Sequence, residues 1–137
     1  MGRILALDYG GRRTGIAVTD PMRIIATALT TVETKTLAEY LKKYCATEQV
    51  DEFVVGKPMF MDGTSNEIEK EIGGFIAKLS EIFPEKKIAR VDERFTSKLA
   101  AQSLIDSGLK KKDRKNKANL DSASAVLILQ TYLDTIQ

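Results

Sequence analysis

At 137 residues and 15.2 kDa, with 43% apolar and 29% charged residues, the chain has the size and balance of one folded domain, which excludes a bilobal architecture, a disordered chain and a membrane-spanning one. It has no histidine and one cysteine, so zinc fingers, His-ligated zinc hydrolases, Ser-His-Asp triads and Cys-His proteases lack their obligatory side chains, and any hydrolysis must run on carboxylates, hydroxyls, Lys or Arg. The net charge of +2 alone points to no polyanionic partner.

The chain opens with four apolar residues, Ile4 to Leu7, ending in Asp8. That run is far short of a signal-peptide core or a transmembrane helix, which predicts a cytoplasmic protein with no membrane association, and it reads as a buried strand. Gly10-Gly11-Arg12-Arg13 predicts a turn and Thr14 to Thr19 a second strand, so the first two strands form a hairpin. A third strand is expected over Ile24 to Leu29, after Asp20-Pro21. Leu37, Leu41, Tyr44 and Cys45 then repeat at helical spacing. Cys45 reads as a buried thiol without a disulfide partner.

Phe53-Val54-Val55-Gly56 is the next strand, closed by Lys57-Pro58. Thr64 to Glu67 has capping-box spacing, and Ile68, Ile72, Phe75, Ile76, Leu79 and Phe83 line one face of a long helix stopped by Pro84. Ile88 to Val91 predicts a fifth strand, ending in Asp92-Glu93-Arg94. A helix from about Thr96, with Leu99, Leu104 and Ile105 apolar, stops at Gly108, and a basic loop follows. From about Leu120 to Ile136, Ala123, Val126, Leu127, Leu129 and Leu133 mark a last helix. The order β-β-β-α-β-α-β-α-α, with no linker or repeat, predicts a single α/β domain over residues 1–137. Its five-stranded mixed sheet has three antiparallel N-terminal strands, parallel later strands and helices on both faces. Sites in such sheets lie at the carboxyl ends of strands, where Asp8 and Glu93 fall.

Charge is unevenly distributed. Residues 94–117 hold Arg94, Lys98, Lys110, Lys111, Lys112, Arg114, Lys115 and Lys117 against two acids, so this stretch carries +6 and the remainder −4. Such a concentration suits a phosphate backbone, and equally a solvated loop that keeps the protein soluble. With no aromatic residue in the loop, it would track backbone and not stack bases.

Three acids occupy the ends of elements: Asp8 after strand one, Glu93 after strand five and Asp121 in the first turn of the last helix. Neighbouring carboxylates repel unless a cation holds them, and with oxygen ligands alone that cation is Mg²⁺ or Mn²⁺. Two such ions can flank a phosphodiester, one acidifying the attacking water and the other stabilising the leaving oxygen. Each acid also has a plain structural use: Asp8 as a turn opener, Glu93 in a surface ion pair, Asp121 at the positive end of a helix dipole. Arg12, Arg13 and Arg94 are placed to hold a phosphate, and Arg94 could equally orient Asp92 or Glu93.

Leu5-Ala6-Leu7-Asp8-Tyr9-Gly10-Gly11-Arg12-Arg13-Thr14-Gly15 through Asp20 resembles the opening motif of the YqgF (RuvX-type) family of Holliday junction resolvase-like proteins. Val55-Gly56-Lys57-Pro58 with Asp62-Gly63-Thr64, Asp92 to Ser97, and Lys117 to Asp134 agree in order and spacing. The resemblance covers nearly the whole chain. It implies an RNase H-like fold and a metal-dependent nuclease whose catalytic and metal-binding triad is Asp8, Glu93 and Asp121. It also implies a role in ribosome biogenesis, processing the 5′ end of precursor 16S ribosomal RNA. Tyr9, Lys57 and Phe95 depart from the family's usual Pro, Leu and Leu, and none of them is an acidic position.

Three other readings stand beside this one: a Holliday junction resolvase acting on branched DNA, a non-catalytic nucleic-acid-binding module, and an ATPase. The Asp8 to Gly15 pattern also resembles the phosphate hairpin of the sugar kinase and actin superfamily, but a single lobe lacks the second wall that nucleotide requires. The expected partner is nucleic acid, either precursor rRNA or branched DNA. Symmetric cutting of a four-way junction would call for a two-fold homodimer, whereas trimming an RNA end would not.

Overall fold

The computed structural model describes residues 2–57, 67–92 and 117–136, with side chains in the last segment from Ala123 onward. Strand β1 (Arg3–Asp8) pairs antiparallel with β2 (Arg13–Thr19), Leu5 opposite Val18 and Asp8 opposite Gly15. β3 (Ala26–Glu33) continues the meander on the outer side of β2. A 3₁₀ turn (Thr34–Thr36) leads into α1 (Leu37–Thr47), which returns the chain to β4 (Val50–Lys57), parallel to β1. After α2 (Glu67–Ile82), β5 (Lys87–Asp92) adds parallel to β4, and α3 (Lys117–Ile136) is the last described element. The sheet order is β3-β2-β1-β4-β5, the mixed sheet that the strand pattern predicts.

β1 and β4 are apolar almost without interruption because both of their faces are covered. Leu5, Leu7, Ile16, Val18, Phe53 and Val55 face α1 and α2, where Leu37, Leu41, Ile72 and Leu79 meet them, with Phe83 just beyond the end of α2. Ile4, Ala6, Ala17 and Val54 face the other way, beneath Ala125, Ile128, Leu129, Tyr132 and Leu133 of α3. Helices therefore cover both faces. Cys45 is half-buried and its thiol is pushed up by burial, in keeping with a packing residue. No described helix is long and apolar enough to cross a membrane.

Two boundaries differ from expectation. The third strand begins at Ala26, not Ile24, and runs on to Glu33. The Asp20 carboxylate accepts hydrogen bonds from the backbone N–H groups of Met22, Ile24 and Ile25 at 2.8–3.0 Å, and Arg23 adopts a left-handed φ of 59°. That side chain takes the donors a strand would have used, so residues 20–25 form a turn that leaves Met22, Ile24 and Ile25 exposed. The last helix begins at Lys117, which makes Asp121 its fifth residue and moves it out of the first turn, where the helix dipole acts. The capping residues Thr64 to Asn66, the helix expected from Thr96 to Gly108 and the basic loop lie outside the described residues.

Phe53 is fully buried, its ring 5.4 Å from that of Phe83, so Phe53→Ala should lower the unfolding free energy by about 3–5 kcal/mol in urea titrations. The Asp51 carboxyl is held below its ordinary value first by the Gly2 backbone N–H, then by the Gln49 amide, with Arg23 adding to it. A depressed carboxylate contributes stability above its unfolded pKa of about 3.9 and loses it as pH falls through the folded value. Thermal melts of Asp51→Asn should therefore show a shallower loss of stability below about pH 4 than the parent.

Candidate functional site

The parallel strands β1, β4 and β5 end together at one edge of the sheet. Leu7 lies beside Val55, Gly56 beside Val91 and Lys57 beside Asp92, so Asp8, Lys57 and Asp92 close the three strands at nearly one level. Strand alternation puts Asp8 on the side of Ile4 and Ala6, the face that α3 covers, at a point where burial falls from complete to partial. Tyr9 goes the other way. Its ring packs 5.3 Å from Phe75 of α2, and burial first, then the Glu71 charge, pushes the pKa of its hydroxyl up to about 12. A phenol so raised stays protonated at neutral pH and serves as an anchor, not a base. The departure from the family's usual Pro thus has a structural use: it ties the end of β1 to α2.

The turn after Asp8 is held by Thr34. Its hydroxyl donates to the Gly10 carbonyl at 2.6 Å and so accepts from Thr14 Oγ1 at 2.9 Å, while its backbone N–H donates to the Arg12 carbonyl at 2.9 Å. Thr14 is fully buried, which keeps water out of this frame. Gly10 is required there because a Cβ would run into the Arg13 carbonyl oxygen. Arg12 is exposed and Arg13 half-buried, and with Gly11, Glu33 and Lys35 they line a cleft of about 580 Å³.

Arg90 fixes the other side of the edge. Its guanidinium donates to the carbonyls of Val55 and Gly56, each at 3.1 Å, and pairs in two-pronged fashion with Glu69 at 2.9 and 3.1 Å. One planar side chain thereby locks the last turn of β4 to β5 and to α2. Sequence reading misses this residue, although an arginine inside Ile88-Ala89-Arg90-Val91 is the signal. Lys57 is exposed at the end of β4.

Of the predicted site residues, Asp8, Arg12 and Arg13 lie at this edge, Arg12 on the turn that leaves β1 and Arg13 at the start of β2. Glu93, Arg94, Lys110, Lys111, Lys112, Arg114 and Lys115 lie outside the described residues. Lys117 and Asp121 lie on α3, in the part whose side chains are not described. Among the described residues no group of three acidic, His or Cys side chains could hold a metal ion. Asp8, a hard oxygen donor on a rigid strand end, suits one ligand position of a Mg²⁺ or Mn²⁺ site.

A family model described as RuvX, Holliday junction resolvase, matches residues 2–135. The chain belongs to the RuvX family. Flavobacterium johnsoniae has a protein 53% identical over 135 residues, covering 98% of each chain, and one from Christiangramia forsetii is 53% identical over 133 residues, covering 97% of this chain and 98% of its own. A Porphyromonas gingivalis protein is 49% identical over 134 residues, covering 98% and 97%. All three are named "Putative pre-16S rRNA nuclease". Among solved structures, Thermus thermophilus RuvC in complex with a Holliday junction substrate superposes with a TM-score of 0.61 at 15% identity, covering 98% of both chains. At that identity the likeness is one of fold, and this RuvX-family chain has a RuvC-like fold.

Thr34→Val would strand the Gly10 carbonyl and the Thr14 hydroxyl, and should lower stability by about 1–2 kcal/mol in chemical denaturation. Gly10→Ala should destabilise as well, while Gly74→Ala, on the exposed side of α2 with open space around it, should stabilise by about 0.5–1 kcal/mol, a contrast that differential scanning calorimetry resolves.

Proposed function

We propose that this RuvX-family chain is a metal-dependent nuclease that hydrolyses phosphodiester bonds in structured RNA, and that its substrate is the 5′ end of precursor 16S ribosomal RNA. The observation that carries the reading is near-full-length identity of about one residue in two to proteins bearing that name. The position of Asp8, at the carboxyl edge where parallel sheets carry their sites, agrees with it.

In this reading Asp8, Glu93 and Asp121 are the catalytic carboxylates and the metal ligands. Two features support the grouping. Ala89 and Val91 pack on the α3 face, the side on which Asp8 lies, and Glu93 is the next residue of that parity. Neighbouring strands lie about 4.8 Å apart, so the ends of β1 and β5, with β4 between them, are about 10 Å apart. For Asp121, the anchor is Tyr132, whose hydroxyl donates to Glu52 at 2.6 Å near the start of β4. Eleven residues of helix from Tyr132 to Asp121 span about 16 Å, against about 13 Å of strand from Glu52 to Gly56, so α3 is long enough to bring Asp121 to the carboxyl edge.

Bound Mg²⁺ or Mn²⁺ would acidify the attacking water and stabilise charge on the leaving oxygen. The chain's own part is positional. Asp8 holds its place on rigid strand backbone, and Arg12, Arg13 and Arg94 take the charge of the scissile phosphate or of its neighbours by two-pronged hydrogen bonds. Lys110, Lys111, Lys112, Arg114, Lys115 and Lys117 follow the backbone beyond the cut. No imidazole exists to shuttle a proton.

Purified protein with Mg²⁺ or Mn²⁺ should cut precursor 16S RNA, and Asp8→Asn should lower the rate on the order of 10³- to 10⁴-fold while leaving RNA affinity nearly unchanged. Chelation should abolish cleavage, and added Mg²⁺ should restore it. Full activity in Asp8→Asn would place the chemistry elsewhere. Binding without cleavage across RNAs, flaps and junctions would leave a binding module, and preferential cutting of a four-way DNA junction by a two-fold dimer, seen in solution mass, would favour the resolvase.

A further inference from the structure

The cleft beside the β1–β2 turn is built from two segments that the carboxylates do not use. One wall is Gly11-Arg12-Arg13 and the other is Glu33 and Lys35, at the end of β3 and in the 3₁₀ turn. Arg13 and Glu33 are direct partners in the β2–β3 ladder. Among the described residues, the lining has three cations against one carboxylate, two net positive charges. Its walls are tied together by Thr34, the residue between Glu33 and Lys35, through the bonds to Gly10, Arg12 and Thr14. The cations therefore stand on backbone already fixed before any ligand arrives, which limits the ordering cost of binding.

The cleft's location selects its ligand. β3 is two strands from β1, so its end lies about 10 Å from Asp8 along the same edge of the sheet. We propose that this cleft holds a non-scissile backbone phosphate of the RNA strand whose scissile phosphate lies at Asp8, with Arg13 and Lys35 as its cations and Thr34 as their positioning residue. The proposal rests on the reading of the Asp8 edge as the cleavage site, and adds to it a second, neighbouring phosphate contact.

Glu33 sharpens the test. Its carboxylate lies 3.4 Å from the Lys35 ammonium, but the two side chains are 62% and 81% exposed, and an ion pair so exposed is worth little as a positioning device. The larger effect of Glu33 is its charge, which opposes a phosphate in the cleft. The two substitutions should therefore act in opposite directions.

The experiment measures binding of a labelled single-stranded RNA to Asp8→Asn protein as a function of salt, so that cleavage plays no part in the readout. Added to that background, Lys35→Gln should weaken binding roughly three- to ten-fold near 100 mM salt and lower the magnitude of the slope of log affinity against log salt by about 0.7, one phosphate contact. Glu33→Gln should tighten binding by a comparable factor. Lys42→Gln, at an exposed α1 lysine paired with Glu39, should change neither quantity. Unchanged affinity and slope in Lys35→Gln, or weaker binding in Glu33→Gln, would overturn the proposal. So would a Lys35→Gln protein that loses affinity for inorganic phosphate alone and keeps its affinity for RNA. Failure of the nuclease reading looks different: wild-type protein binds RNA with the full salt slope and leaves it uncut.

Discussion

The structure depends on the register of β1. Ile4, Leu5, Ala6 and Leu7 are all fully buried, alternately beneath α3 and beneath α1 and α2, with β2 antiparallel on one side and β4 parallel on the other. A slip of one residue would exchange the two faces and drive Ile4 and Ala6 into space shaped for Leu5 and Leu7. The same alternation sends Asp8 toward α3 and Tyr9 toward α2, so a hydrophobic constraint sets the direction of the carboxylate that ends β1. Tyr9 then reinforces that choice through Phe75 and Glu71.

Around this strand the edges of the sheet are held by a few long-range polar contacts. At the carboxyl edge, Thr34 secures the turn after β1, and Arg90 secures the end of β4 through two backbone carbonyls and Glu69. At the opposite edge, Arg23 donates to the Gly2 carbonyl and to Asp51, while Glu52 accepts from Tyr132 of α3. Each contact satisfies backbone or carboxylate oxygens where strand pairing stops, which is where an unmet acceptor would otherwise cost the most. A site made of charged groups on such an edge needs little reorganisation to act.

Much of this was legible in the residues. Uninterrupted apolar runs at β1 and β4 announce strands covered on both faces, and the change to helical spacing at Leu37 and at Ile68 announces the crossovers. The start of β3 was not legible, because Ile24 and Ile25 look like strand residues until the Asp20 side chain is seen holding their backbone donors. Arg90 and Thr34 were missed for a different reason. Their partners lie 20 to 35 residues away in the chain, and no local pattern encodes such a contact. Asp8, Glu93 and Asp121 stood out by chemistry and by family motif. What periodicity could not supply was the level at which Asp8 stands against its neighbours, which follows from the parallel pairing of β1 with β4.

The helix that covers the second face of the sheet is also the last described element of the chain. Ile4, Ala6, Ala17 and Val54 are made early in synthesis and remain without their covering layer until residues 125–133 have left the ribosome. The hairpin and the α1–β4 crossover can form before then, but the domain cannot close its core. Asp121 stands on the same helix, a few residues before that stretch, so a chain cut short of α3 is left with an apolar sheet face and without that carboxylate.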